Sequence, residues 1–120
     1  MERRVETGWL LDFYGPLLTE RQRTLLRMYC EEDLSLAEIA AQESISRQGV
    51  HDAVKRGDAQ LRAYEEQLGL LQRYRRLYGA LNRCREALEG AQVPPTHQRA
   101  LARAREALRE VADEEGFDGF

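Results

Sequence analysis

The chain has 120 residues, of which 32% are charged and 42% hydrophobic, with a formal net charge of −3. That length supplies enough core to fold without a disulfide or a metal. The charge balance excludes a chain that binds nucleic acid through bulk charge, and two cysteines with two histidines give no metal or disulfide framework. Proline is scarce, runs of Val, Ile and Thr are absent, and Ala, Leu, Glu, Gln and Arg dominate. All five are good helix formers, so the expected fold class is all-α.

In chain order, Trp9, Leu10, Phe13 and Leu17 recur at near-helical spacing and predict a first helix from about Thr7 to Tyr14, stopped by Gly15-Pro16. Trp9, Phe13 and Tyr14 are expected to form an aromatic cap on the core. The run is too short for a signal peptide, and no segment is long and apolar enough to span a membrane. The expected location is the cytoplasm. Thr19 with Gln22 three places on reads as a capping box that opens a second helix, from Glu20 to about Glu31.

Ser35 with Glu38 repeats that signature ahead of a third helix, from Leu36 to about Gln42. After a turn over residues 43–45, Ser46 caps a fourth. Along it, Val50, Val54, Gly57, Leu61, Tyr64 and Leu68 are spaced 4, 3, 4, 3 and 4, a seam that predicts one long helix ending near Gly69. A second seam with the same spacings, Leu70, Tyr74, Leu77, Leu81, Cys84 and Leu88, follows at once and ends at Gly90. After the loop at residues 91–97, a last helix is expected from about Thr96 to Ala112. Residues 113–120, acidic and glycine-rich, are expected to be disordered.

This gives three parts. Residues 1–68 form a helix-turn-helix domain with an extended recognition helix, 69–112 form amphipathic helices, and 113–120 form a tail. A single chain has little core to offer two such seams, so a homodimer joined along them is expected. Cys30 and Cys84 sit within helical patterns and read as small buried apolar residues.

The third and fourth helices carry the chemistry. In a helix-turn-helix the second helix enters the DNA major groove and its first residues reach base edges. Here Val50, Ala53 and Val54 point inward, and Arg47, Gln48, His51, Asp52 and Lys55 point outward. Arg pairs with guanine and Gln with adenine, both bidentately. Ser46, Arg56 and Arg62 are placed to meet phosphates, which position a protein without reading sequence. The candidate nucleic-acid-binding residues are therefore Ser46, Arg47, Gln48, His51, Lys55 and Arg56. Glu43, Asp52 and Asp58 interrupt that face with negative charge.

Arg73, Arg75, Arg76, Arg83 and Arg85 make a basic segment, and Tyr64, Tyr74 and Tyr78 alternate with Arg62, Arg73, Arg75 and Arg76. Such a pattern can suit RNA bases, but more often it places tyrosines on a helix partner and arginines in water. No nucleophile, phosphate loop or carboxylate pair stands out, so neither catalysis nor a cofactor is expected.

The segment from Leu10 to Arg56, with Asp12-Phe13-Tyr14-Gly15 ahead of Ser46-Arg47-Gln48, Val50, Asp52, Lys55 and Arg56, resembles the YlxM family of small bacterial proteins. That family is itself similar to the C-terminal helix-turn-helix region of sigma factors. Tyr64 to Leu71 also fits its continuation. The resemblance implies an all-α, DNA-binding-like fold, with Ser46, Arg47, Gln48 and Lys55 as contacts. Members are typically encoded beside a component of the signal recognition particle, so the resemblance also implies a role in or around that protein-targeting pathway.

The chain departs from the family at Glu43-Ser44, where the pattern has Leu-Gly, and at Gly49, where it has Ala. A looser turn and, with Gly57, a softened recognition helix are expected. The alternative is thus an interaction protein whose degenerate helix-turn-helix docks on protein or on the particle's RNA or GTPase, without sequence-specific DNA binding.

Overall fold

A computed structural model describes residues 2–117. Within them the chain is all-α: α1 (Arg3–Tyr14), α2 (Glu20–Cys30), α3 (Leu36–Glu43), α4 (Arg47–Leu68), α5 (Leu70–Glu89) and α6 (Gln98–Glu115), with single 3-10 turns at Gly15–Leu17 and Pro95–His97. The chain divides into two compact units, Met1–Leu71 and Gln72–Phe120.

The capping residues read from the sequence do what their chemistry predicts. The Thr19 hydroxyl accepts from the Gln22 N–H at 3.2 Å, and the Ser35 hydroxyl from the Glu38 N–H at 3.1 Å; each box is closed by the return bond from the cap's own N–H. Ser46 caps α4 through the Gly49 N–H at 2.9 Å. Each satisfies backbone donors that a helix start leaves without partners. α1 begins four residues earlier than its apolar spacing indicates, because Arg3, Arg4 and Glu6 bond to other elements rather than to the core.

Two apolar clusters hold the first unit. Leu10, Leu11 and Tyr14 of α1 meet Leu18, Leu26, Leu61 and Leu71. Leu25 and Met28 of α2 meet Ile39, Ala40 and Val50, which is the core of the helix-turn-helix itself. Most of the α4 seam is consumed here: Val50 and Leu61 are fully buried, Val54 and Tyr64 pack on the clusters, and Leu68 stays exposed. The first seam therefore packs within its own chain.

Gly57 sits where α2 crosses α4. A Cβ there would lie 2.7 Å from Leu26 Cδ1, so this glycine permits the close approach and is more than a weak point in the helix. Tyr14 is fully buried; its hydroxyl donates to Glu65 Oε1 at 2.6 Å and accepts from the Leu70 N–H at 3.0 Å. The same carboxylate oxygen accepts from the Leu71 N–H at 2.9 Å, so a tyrosine–glutamate pair caps α5 directly after the left-handed Gly69 ends α4. Phe13 packs partly buried beside Tyr14, whereas Trp9, expected in the aromatic cap, is 36% exposed.

In the second unit, α6 runs three residues past the expected end at Ala112. Gly116 closes it in a left-handed conformation (φ 71°), and the Phe117 N–H returns to the Ala112 carbonyl at 2.8 Å. The Phe117 ring is buried edge-on against Tyr74 (centroids 5.0 Å apart) and Tyr78 (5.2 Å). The start of the expected tail is thus a helix end held by an aromatic anchor; residues 118–120 lie outside the described residues. Cys84 is exposed, contrary to expectation, while Cys30 is about half-buried and its thiol is pushed up to about 11 by that burial.

Candidate nucleic-acid interface

The turn between α3 and α4 is closed, not loose. Ser44 adopts the left-handed conformation (φ 56°, ψ 41°) that glycine would take at no steric cost. Its N–H and that of Ile45 both return to the Ala40 carbonyl, the latter at 3.2 Å, and Ile45 packs on the helix-turn-helix core. Glu43, in place of an apolar residue, reaches α2 instead: its Oε2 accepts from Arg21 Nη1 at 3.0 Å.

A second clamp fixes the entry to α3. Arg4 donates to the Tyr29 carbonyl at 2.6 Å and the Leu34 carbonyl at 2.9 Å, and its guanidinium lies 4.0 Å over the Tyr29 ring. Asp33, 3.4 Å from Arg4 in the loop before α3, is with Ser44 one of the two non-glycine residues in a left-handed conformation among the described residues (φ 56°).

α4 is anchored to α1 by a buried polar node. Asp58 is 8% exposed and accepts from Arg3 Nη2 (2.6 Å), the Thr7 hydroxyl (2.6 Å) and Arg62 Nε (3.2 Å); Arg62 Nη1 also donates to Glu6 at 2.6 Å. Burial opposes ionisation of Asp58, but these donors outweigh it and hold its carboxyl below the ordinary range. Bonds to Glu6 and Asp58 outweigh desolvation at Arg62 and raise its pKa. Asp58 therefore does not interrupt the outer face, and Arg62 is committed to the fold, not to a phosphate. The sequence places both on the helix but cannot place α1 beside them.

What remains exposed on α4 is the candidate set. Ser46, Arg47, Gln48, His51, Lys55 and Arg56 are all exposed. Among the described residues Arg47, Lys55 and Arg56 have no hydrogen-bond or ion-pair partner, so their charge is free for a ligand. Arg47, Gln48 and His51 border an open hollow of about 480 Å³ beside Leu36 of α3. His51 and Lys55 also line a second cleft, of about 330 Å³, shared with Arg3, Arg4 and Thr7 of α1. Arg56 follows Arg47 by about two and a half turns, which puts it on the opposite flank of α4.

Asp52 stays within the face. It accepts from Gln48 Nε2 at 3.0 Å, and its carboxylate lies 3.5 Å from His51 Nδ1, although the two are sequence neighbours. The N-terminal arginines and Thr7 were not legible as part of this region, since nothing in a sequence tells that residues some fifty positions apart share a wall.

In the second unit, the Tyr74 and Tyr78 rings face Phe117 and Arg85 bonds to Asn82 Oδ1 at 2.6 Å. The tyrosines thus follow the partner-facing reading of that segment. Among the described residues no helix is long and apolar enough to cross a membrane, and no cluster of three or more metal-ligating side chains is found.

Comparison with known proteins agrees with this architecture. The profile of the family UPF0122, described as "Putative helix-turn-helix protein, YlxM / p13 like", matches residues 1–96. UPF0122 protein STH1464 of Symbiobacterium thermophilum is 48% identical over 96 residues, 80% of this chain and 89% of its own. UPF0122 protein GK1195 of Geobacillus kaustophilus is 37% identical over 108 residues, 90% of this chain and 98% of its own. A UPF0122 protein of Clostridium botulinum is 53% identical over 73 residues, 61% and 67% of the two chains. With a helix-turn-helix closed at Ser44 and a family match covering most of its length, the chain belongs to the UPF0122 family of YlxM-like helix-turn-helix proteins.

Proposed function

We propose that the protein is a non-catalytic, nucleic-acid-binding regulatory or accessory protein whose α4 enters the major groove of DNA. The observation that carries this is the contrast between two sets of cations. Arg4, Arg21 and Arg62 are tied into the fold, whereas Arg47, Lys55 and Arg56 stand exposed on α4 without partners among the described residues. Arg47 at the capped start of α4 suits guanine edges, and Lys55 about two turns on suits a phosphate.

Mobility shifts with DNA from the protein's own operon, comparing wild type with Arg47→Ala plus Gln48→Ala, test this reading. The double variant is expected to bind at least tenfold more weakly. Equal binding by both proteins, or none by either, refutes it.

A homodimer is part of the proposal. Leu70 and Leu77 on the α5 seam remain 40% exposed, and Leu68 57%, which leaves apolar surface for a second chain. Light scattering at micromolar concentration is expected to return twice the chain mass; the monomer mass rejects it.

A second reading has its own support. The Gln48 amide is held by Asp52 and that carboxylate remains on the face, which weakens base reading. In this reading the protein docks on a protein or on the signal recognition particle's RNA or GTPase. The family resemblance suggests that pathway. Retention of either component in a pull-down supports it, and background recovery of both counts against it.

A further inference from the structure

The cleft between α1 and α4 has a composition that the helix-turn-helix does not require. Leu36, Val54 and Tyr29 are its apolar lining. Its rim carries Arg3, Arg4, His51 and Lys55. Against these stands Asp58, whose oxygens already accept from Arg3, Thr7 and Arg62. Arg3 is paired with Asp58 and Arg4 lies 3.4 Å from Asp33, so Lys55 is the cation of the cleft without an ion-pair partner among the described residues.

Donors remain to be used. Arg3 has one bond to Asp58 and a side chain that is 72% exposed, so the rest of its guanidinium faces out. Lys55 has no partner among the described residues. Arg4 contributes charge, but two of its nitrogens are committed to backbone carbonyls. At about 330 Å³ the cleft exceeds one phosphate and falls at the small end of small-ligand sites.

We propose that this cleft binds a phosphate group, held by Arg3 and Lys55 with His51 at the rim. The phosphate has two possible sources, the backbone of a nucleic acid lying along α4 or a free mononucleotide whose base covers the apolar lining. The first source rests on the function proposed above; the second stands without it. Because His51 and Lys55 border both the cleft and the outer face of α4, a mononucleotide seated here competes with nucleic acid for the same lysine.

Amide NMR on the full chain, at low ionic strength in a phosphate-free buffer, tests this with inorganic phosphate, AMP and a short DNA duplex as separate titrants. Phosphate or AMP is expected to shift Thr7, His51 and Lys55 together. Arg3→Gln and Lys55→Gln are each expected to weaken AMP binding about tenfold. Lys55→Gln removes no hydrogen bond or ion pair among the described residues, so it remains informative if Arg3→Gln loosens the Asp58 node.

Shifts with the duplex alone, lost in Arg3→Gln, assign the phosphate to the polymer. Shifts with AMP and none with the duplex sustain the cleft and refute the DNA reading. Silence at Thr7 with all three titrants overturns the proposal, as do shifts confined to Arg47 and Gln48.

Discussion

At the scale of single residues, two positions reverse what composition suggests. Gly57 lies mid-helix, where glycine costs about 1 kcal/mol relative to alanine. A Cβ would nevertheless lie 2.7 Å from Cδ1 of Leu26, which is fully buried. Gly57→Ala is therefore expected to lower stability, by about 1 kcal/mol net once the helix gain is subtracted from overpacking of roughly 2 kcal/mol. Chemical denaturation measures it, and a more stable variant would show that Leu26 can move. Ser44 is the opposite case. It holds φ 56° where a side chain is strained, so Ser44→Gly is expected to raise stability by about 0.5–1 kcal/mol in the same assay. The polar side chains of this turn were legible, and so was the departure from glycine. That the chain keeps the left-handed turn anyway, with Glu43 diverted to Arg21, depends on α2 being near.

At the scale of elements, the helices and their caps were read closely because a cap is a local device: donor and acceptor lie three residues apart. The partner of a helix face is not local. The α4 seam follows a spacing that two chains could share, yet α1 and α2 of the same chain fill it. The Asp58 node explains part of how α1 stays there. A carboxyl whose folded pKa lies below its unfolded value contributes stability that is present above the unfolded pKa, near 3.8, and lost as pH falls through the folded value. Asp58→Asn is accordingly expected to cost about 1–3 kcal/mol at pH 7. As pH falls below 3.8 and through the folded value, the gap between variant and wild type narrows. A gap independent of pH would mean that the carboxylate's charge does not hold α1 to α4.

At the scale of the whole molecule, the division into units follows from where the core ends. The sequence places the boundary after residue 68, at the glycine between two helices. Leu71 lies beyond it and is 3% exposed in the first unit's core, and the Leu70 and Leu71 N–H groups bond to Tyr14 and Glu65. A fragment ending at residue 72 is expected to melt cooperatively. One ending at residue 68 loses a buried leucine worth about 2 kcal/mol and melts at lower temperature. Identical melting of the two fragments would remove Leu71 from the core of the first unit.

The amino-acid sequence by itself determined the helices, their caps, the turn, the family and the outward set of residues on α4. The helices, their caps and the outward set are written in periodicity and in neighbours a few positions apart, and the family in the resemblance carried by residues 10–56. Only the tertiary structure decided which charges are spent and which are free, because burial and ion pairing join residues about fifty positions apart. It tied Arg62 and Asp58 to α1, closed a turn that lacks its glycine, and brought Arg3 to the cleft beside Lys55. A charge acquires its role from the groups packed around it, and chain order does not record them.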